Sequence, residues 1–456
     1  MFRTDELLKA TGGKLVLKGN VDSFPAVSID SRAISKGCVF IAIKGNNFDG
    51  HDFIPEALKN GASCVICNLS YGVCDKIAVR GATYIHVKDT VSALGDIAYF
   101  HRKRFSMPVI ALTGSNGKTT TKEMISKVLS VGLSVLKNEG TQNNHIGVPM
   151  SLLNLNKGHR LAVLELGTNH PGEIAYLAKM CCADIGVITN VGPSHLEFLV
   201  DLQGVLEEKH SLVSSLDNPS IAVFNGDDVL LKRRLSSPRK GQLRVSFGMD
   251  KACDYRCNSV RLKNNSIEFK VGKNAYVLNS VARHNVYNAL AAISLGRIFG
   301  VSHNKIRKAL ADFNFPKGRL NMVKLNNLIL LDDTYNSNPL SLRSAIDTLA
   351  EFKSKGRKIL VIGDMLELGD GAQEEFHSKA GEHASKVCDV IITVGRLSRL
   401  AALAAQRCGF SEKNIFTCDS SDEAREVFVN KIGSDSDDVV LVKGSRAMKM
   451  ERVFKG

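Results

Sequence analysis

The chain has 456 residues, which at about 150 residues per domain points to roughly three domains, each able to bury its own core. Hydrophobic residues make up 44% and charged residues 23%, values that exclude a disordered chain. The 60 Lys and Arg outnumber 46 Asp and Glu, and the resulting +14 favours phosphate-rich partners without choosing among nucleic acid, anionic lipid and nucleotides. No apolar run approaches the roughly 18 residues of a membrane span, so membrane insertion is not expected. Met1 to Glu6 place two acids where a secretory signal has a basic start and an apolar run. The eleven cysteines are therefore expected as reduced thiols in the cytoplasm. Cys64 and Cys67, with Cys74 beyond, carry a CxxC spacing, but no second pair or His partner follows. Val65 and Ile66 between them predict a buried strand instead of a metal site.

Short apolar runs alternate with helix-period segments, the pattern of α/β units around a parallel sheet. The first zone, 1–106, predicts a strand at Cys38–Ile43 and a helix at Phe53–Asn60. It closes on His101, Arg102, Lys103 and Arg104, expected as a solvated helix end before Pro108. The second zone, 107–315, opens on a strand at Val109–Leu112, after which Met124, Ile125, Val128 and Leu129 recur at helical spacing. Strands follow at Leu161–Leu164 and Asp184–Thr189, then shorter, more polar ones between 215 and 280. Phe315-Pro316-Lys317-Gly318 marks the next break. The third zone, 316–456, predicts strands at Leu328–Leu331, Lys358–Ile362, Val390–Val394 and Val439–Val442 with helices between them, a Rossmann-like alternation.

The most informative stretch is Thr113-Gly114-Ser115-Asn116-Gly117-Lys118-Thr119-Thr120. A strand, a glycine loop, Lys-Thr and a helix make a phosphate cradle. Backbone N–H groups and the helix N-terminus face the anion, Lys118 reaches the β- and γ-phosphates, and Thr119 can bind Mg²⁺. A standard Walker A loop needs glycine where Leu112 stands, so this is a shortened variant.

That variant resembles the loop of the ATP-dependent Mur ligases, the family that builds the peptide of bacterial peptidoglycan precursors. The likeness covers nearly the whole chain. It continues through Asn143-Asn144-His-Ile-Gly-Val-Pro149, Glu165-Leu-Gly167, Asn190-Val-Gly-Pro-Ser-His195-Leu-Glu197 and Arg283-His284-Asn285-Val-Tyr-Asn288. In the third zone come Lys317-Gly-Arg319, Asp332-Asp333-Thr-Tyr-Asn336-Ser-Asn338-Pro, Gly363-Asp364-Met-Leu-Glu367-Leu-Gly369 and Lys443-Gly-Ser-Arg446. The last group is most similar to the member that adds D-alanyl-D-alanine. The Asp-Asn-Pro-Arg expected of the diamino-acid-adding member is absent.

The resemblance implies a three-domain α/β fold. A central P-loop-type ATPase domain on a parallel or mixed sheet (107–315) follows an N-terminal uridine-nucleotide-binding α/β domain (1–106). A C-terminal Rossmann-like domain (316–456) brings the dipeptide and closes over ATP. The implied reaction joins D-Ala-D-Ala to UDP-N-acetylmuramoyl-tripeptide through an acyl phosphate, in a cytoplasmic monomer that needs no nucleic acid.

Several roles follow from the same likeness. ATP falls to Gly114, Ser115, Asn116, Gly117, Lys118, Thr119 and Thr120, with His284 and Asn285 on the adenine side and Arg319 and Asp333 reaching over from the third domain. Two Mg²⁺ ions are implied at Thr119, Glu165, His195 and Lys209, the last carried as a carbamate formed with CO₂. Oxygen donors suit Mg²⁺, so Glu165 is its natural carboxylate. Lys118, Lys209 and His195 are the implied catalytic set. The uridine nucleotide would meet Ser31, Arg32, Asp49, His51, Asn143 and Asn144, and the dipeptide Asn336, Asn338, Asp364 and Glu367. Taken singly, Glu165 also reads as a loop-capping acid, His195 as a hydrogen-bonded histidine and Lys209 as a solvated helix lysine beside Glu207 and Glu208. The Ser31 and Asp49 segments also read as surface turns.

Another ligase of the superfamily, such as folylpolyglutamate synthase, should not need about 100 residues of uridine-nucleotide domain before the loop. A basic nucleic-acid-binding NTPase would need a clustered basic face or stacking aromatics. Here Trp is absent and aromatics total 6%.

Overall fold

The computed structural model describes residues 1–68, 81–237, 239–263, 265–432 and 437–455, so Cys74 lies outside the described residues. The first zone supplies β1 (Phe2–Arg3), β2 (Lys14–Leu17), β3 (Ser23–Phe24), β4 (Val27–Ser28), β5 (Val39–Ile41), β6 (Cys64–Cys67) and β7 (Thr83–His86). β1 and β3 pair with each other. The rest form a sheet in the order β2-β7-β6-β5-β4, parallel except at the β2 edge. Cys64 and Cys67 bracket a fully buried β6, and burial raises the Cys64 thiol, so this CxxC is core.

The second zone builds a sheet from β8 (Val109–Thr113), β9 (Val135–Lys137), β10 (Leu161–Glu165), β11 (Ile185–Ile188), β12 (Ser220–Asn225), β13 (Gln242–Gly248), β14 (Tyr255–Lys263), β15 (Ser266–Val271) and β16 (Asn274–Leu278). The strand order is β16-β15-β14-β13-β12-β11-β8-β10-β9. β8, β10 and β11 are buried along their whole length, because helices cover both faces. That is why they read as unbroken apolar runs. Ile110, Leu112 and Val163 point to one core with the helices Lys118–Leu129 and Asn285–Ile298. Ala111, Ala162 and Leu164 point to the other, under Glu173–Cys181 and Leu202–Ser214. The antiparallel β14–β16 end alternates instead: Ile267, Phe269 and Val271 are buried while Glu268 and Lys270 face solvent.

The third zone forms β17 (Asn321–Leu325), β18 (Leu328–Asp333), β19 (Lys358–Gly363), β20 (Val390–Val394), β21 (Ile415–Cys418) and β22 (Val439–Lys443), ordered β17-β18-β22-β19-β20-β21. Only the edge strand β17 runs antiparallel. The strands foreseen at 328, 358, 390 and 439 are all present, each one or two residues longer or equal. No helix among the described residues is long and apolar enough to cross a membrane.

One expectation fails. The basic segment after Phe100 is not a solvated helix end, because the helix Thr90–Arg102 buries both His101 and Arg102. His101 Nε2 lies 2.9 Å from the Leu155 carbonyl. Arg102 donates to the carbonyls of Cys181 (2.8 Å), Phe105 (2.6 Å) and Met107 (3.0 Å). Cys181 ends its helix and Phe105 and Met107 lie in the loop before β8, and one guanidinium donates to all three carbonyls. Only Lys103 and Arg104 stay at the surface.

Arg102→Lys cannot reproduce that fork, and a charged hydrogen bond contributes about 1.5–3 kcal/mol. Urea unfolding should show a loss of about 2 kcal/mol or more, with surface Lys103→Ala as a near-silent control. Equal midpoints for Arg102→Lys and the parent would contradict this account of the segment.

Candidate active site

β8, β10 and β11 are parallel neighbours, so the loops after them leave the same carboxyl edge of the sheet. A cavity of about 680 Å³ opens there and is walled on the far side by the third domain. Ser115 to Thr120 form its floor, with Gly114 just behind them. Gly114 has φ +148° and Gly117 φ +78°, a backbone that side chains rarely adopt. A Cβ on Gly114 would also come within 2.0 Å of Thr189 Oγ1, and one on Gly117 within 2.5 Å of Asn288 Oδ1. The turn thus packs too closely for any other residue. Asn190 fixes it from behind by accepting from the Asn116 N–H at 2.9 Å.

Lys118 folds back on its own loop, donating to the carbonyls of Gly114 (2.8 Å) and Ser115 (3.3 Å). These are bonds that phosphate oxygens can replace. Burial pushes its amine below the usual lysine range, and the Glu165 carboxylate opposes that shift. Glu165 ends β10 fully buried. Its Oε1 accepts from Asn143 at 2.7 Å, while Oε2 is buried without a partner. An anionic oxygen left unsatisfied beside a phosphate cradle is what a hard divalent cation needs.

Lys209 is not a solvated helix lysine. Its side chain is completely buried in the helix Leu202–Ser214 and its Nζ has no hydrogen-bond partner. Burial, joined by repulsion from Lys118, lowers the amine to about 7. Neighbouring Glu208 is buried too, but accepts from the Gly172 (2.7 Å) and Ile174 (2.8 Å) N–H groups at the start of the helix Glu173–Cys181. His195 is held in the left-handed region at φ +52°. Its Nδ1 lies 2.7 Å from Glu367 Oε2, an ion-pair distance off the line of a good hydrogen bond, and it holds Glu367 below the usual carboxylate range.

The third domain closes the other wall. Asn338 and Asn116 exchange side-chain bonds at 2.8 and 3.3 Å, while Asn338 also caps the helix Pro339–Glu351. Arg319 lies 3.8 Å over the Tyr335 ring and donates to Thr119 Oγ1 at 3.3 Å. Lys443 is buried with its Nζ 2.6 Å from Asp333 Oδ2 and 2.8 Å from the Asn336 carbonyl. His284 reaches Ser344 Oγ at 2.9 Å, and burial lowers its imidazole.

The cavity therefore gathers the loop residues with Glu165, His195, Asn143, His284, Arg319, Asp333, Asn336, Asn338 and Glu367. It does not gather the rest of the sequence-derived set. Asn285 sits behind the wall and accepts from Asn288 at 2.9 Å, so it supports the residue that backs Gly117. Asn144 caps the turn to Gly147, and Asp364 accepts from the Ser398 N–H at 2.7 Å. Ser31 donates to Glu56, Arg32 forks onto Asp30, and Asp49 pairs with His51, all on the first domain away from this cavity. Residues not singled out from sequence also line it. Lys443 lay in a quoted motif without a role. So did Tyr287, in the segment Arg283–Asn288, whose hydroxyl donates to Asp227 at 2.9 Å. Among the described residues no group of three or more His, Cys, Asp or Glu could hold a metal ion, so a cation here would share its coordination with hydroxyl and phosphate oxygens.

Three family descriptions match the chain: Mur ligase family catalytic domain over 24–102, Mur ligase middle domain over 112–296, and Mur ligase glutamate ligase domain over 318–446. The sequence is 33% identical to the UDP-N-acetylmuramoyl-tripeptide–D-alanyl-D-alanine ligase of Bacillus subtilis (strain 168), over 94% of this chain and 92% of that one. The structure is similar to a crystal structure of MurF from Acinetobacter baumannii, with TM-score 0.88, 30% identity and 99% and 97% of the two chains covered. It is also similar to MurF from Thermotoga maritima in complex with ADP, with TM-score 0.81, 30% identity and coverage of 94% and 96%.

The state of Lys209 has a thermodynamic signature. Its amine titrates at about 7 when folded against an ordinary 10.5. Between those values the unfolded chain binds a proton that the folded chain lacks, so this lysine's penalty on folding is complete below the lower value and fades as pH rises toward the upper one. In CO₂-free buffer Lys209→Met should therefore raise the thermal midpoint at neutral pH, and the gain should shrink in alkaline buffer. A gain that grows with pH would contradict the burial of a bare amine.

Proposed function

The chain belongs to the Mur ligase family, and from that premise we propose that it joins D-alanyl-D-alanine to the terminal carboxylate of UDP-N-acetylmuramoyl-tripeptide at the expense of ATP. One observation carries this reading. A phosphate cradle with Lys118 faces Arg319 and Lys443 of another domain across one cavity, with a buried carboxylate, Glu165, lining it beside the cradle. A plain ATPase needs only the first half of that arrangement. A ligase must hold a carboxylate, a triphosphate and an amine in line.

A carboxylate is a poor electrophile. In the proposed sequence its oxygen attacks the γ-phosphorus, the bond to ADP breaks, and an acyl phosphate forms. The dipeptide amine then attacks the acyl carbon, loses a proton, and expels phosphate carrying one former carboxylate oxygen. Lys118 exchanges its loop carbonyls for β- and γ-phosphate oxygens, and Arg319 meets charge developing on the transferred group. Asp333 holds Lys443 beside that path. Asn116 and Asn338 keep the two walls in register, and Asn336 with Glu367 shapes the dipeptide end. Asp364 acts behind it through Ser398.

Mg²⁺ supplies charge neutralisation at the phosphates when bound, and Thr119, Glu165 and His195 are the residues that would hold it. The unpartnered Glu165 oxygen fits that ion, whereas His195 is a less usual ligand for it. Lys209 suits carbamylation on its own chemistry: a neutral buried amine attacks CO₂, its nitrogen–carbon bond forms, a proton departs, and an anionic oxygen ligand results. Ser31, Arg32, Asp49 and His51 would meet the uridine nucleotide on the first domain, with Asn143 at the cavity wall and Asn144 in the turn beside it. We place the protein in the cytoplasm, acting as a monomer.

ADP release should depend on both UDP-N-acetylmuramoyl-tripeptide and D-Ala-D-Ala, and varying the third peptide residue would define the acceptor. Turnover independent of either substrate would end the proposal. Lys118→Ala should lower turnover by about 10²–10³, the scale of removing one charge-stabilising donor. Lys209→Ala should lose activity and regain part of it with added short carboxylic acids; full unrescued activity would remove the carbamate.

A further inference from the structure

Beside the ATP cavity, in the central domain, a second cavity of about 580 Å³ opens between the helix Leu202–Ser214, the short helix Val229–Arg234 and β13. Four arginines border it. Arg239 is taken up by the carbonyls of Val213, Ser214 and Leu216, which end the longer helix. Arg234 pairs with Glu207 at 3.2 Å. Arg244 donates to the Leu235 carbonyl, yet its Nε is buried with no partner. The exposed Arg233 guanidinium has no ion pair or hydrogen bond among the described residues.

The cavity therefore holds four cations against one carboxylate, and the excess is felt locally. His210, on its wall, is pushed down to about 4 by burial, with Arg234, Arg244 and Arg239 adding repulsion against a smaller opposing effect of Glu207. Guanidinium forks match phosphate oxygens in geometry as well as charge. The floor is different: Leu206, Val213 and Leu230 are apolar. A bare inorganic anion has no use for that floor. A nucleic acid would need an extended basic stripe instead of a single hollow of this size.

We propose that this cavity is a binding site for a small phosphate ester, its anionic end held by Arg233 and Arg244 and its organic end lying on Leu206, Val213 and Leu230. The site is separate from the ligase reading and does not rest on it. It nonetheless shares walls with the ATP cavity. Leu230 borders both, and Asp228, which caps the short helix, accepts the Val191 N–H at 2.7 Å on the other side. Lys209 projects from the same long helix that forms one wall here.

Phenyl phosphate is the probe, titrated calorimetrically into the full-length protein without metal. Binding should survive Lys118→Ala, which disables the other phosphate site, and weaken at least about tenfold in R233S/R234S. Arg233→Ser alone, at an exposed and unbonded side chain, should show most of that loss and guards against misfolding of the double variant. Inorganic phosphate should bind several-fold more weakly than the ester. Absence of binding to the parent, unchanged binding in both arginine variants, loss of all binding with Lys118→Ala, or equal affinity for inorganic phosphate would each overturn the proposal.

Discussion

A phosphoryl group in transfer spreads negative charge over three oxygens, and no single element of this chain carries enough fixed positive charge to hold it. The phosphate loop offers backbone dipoles and one lysine. Arg319 and Lys443 stand on the third domain, on the far wall of the same cavity. The rest of the site follows from having to bring those two walls together. Asn116 and Asn338 make complementary amide contacts across the gap, and Arg319 already touches Thr119. Left-handed backbone at His195 and Glu367 aims a second pair across it.

Concentrating cations this way is expensive, because each buried charge gives up its hydration. The chain meets that cost differently at each lysine. Lys443 keeps Asp333 at 2.6 Å, Lys118 leans on loop carbonyls, and Lys209 has neither. Lys209 is thus the one whose amine drops to about 7, within reach of the neutral form that CO₂ chemistry requires. The same burial that looks like a defect is the condition for turning a cation into a ligand.

Much of the architecture was legible because burial writes itself into sequence. β8, β10 and β11 are covered on both faces, so their runs are unbroken and their positions could be read within a residue or two. The phosphate loop was legible for a different reason: glycines at 114 and 117 are demanded by contacts of 2.0 and 2.5 Å that no side chain could share. The basic segment was misread because charge alone does not reveal carbonyls waiting for a donor. Arg102 is held in part by Cys181, a residue 79 positions further along the chain, which its local sequence does not announce. Asn285, expected on the adenine side, lies one layer behind the cavity wall, since helical spacing does not say which of two asparagines, 285 or 288, faces the loop. Lys443 acquires meaning only through Asp333, 110 residues earlier.

The central claim is that the two walls act on a carboxylate, making it a phosphoryl acceptor before any amine bond forms. Acceptor labelled with ¹⁸O in both oxygens of its terminal carboxylate tests this directly, by mass analysis of the phosphate released during one turnover. The account predicts one ¹⁸O atom in each phosphate. Phosphate free of label would mean that the carboxylate never carried the phosphoryl group, and would contradict it.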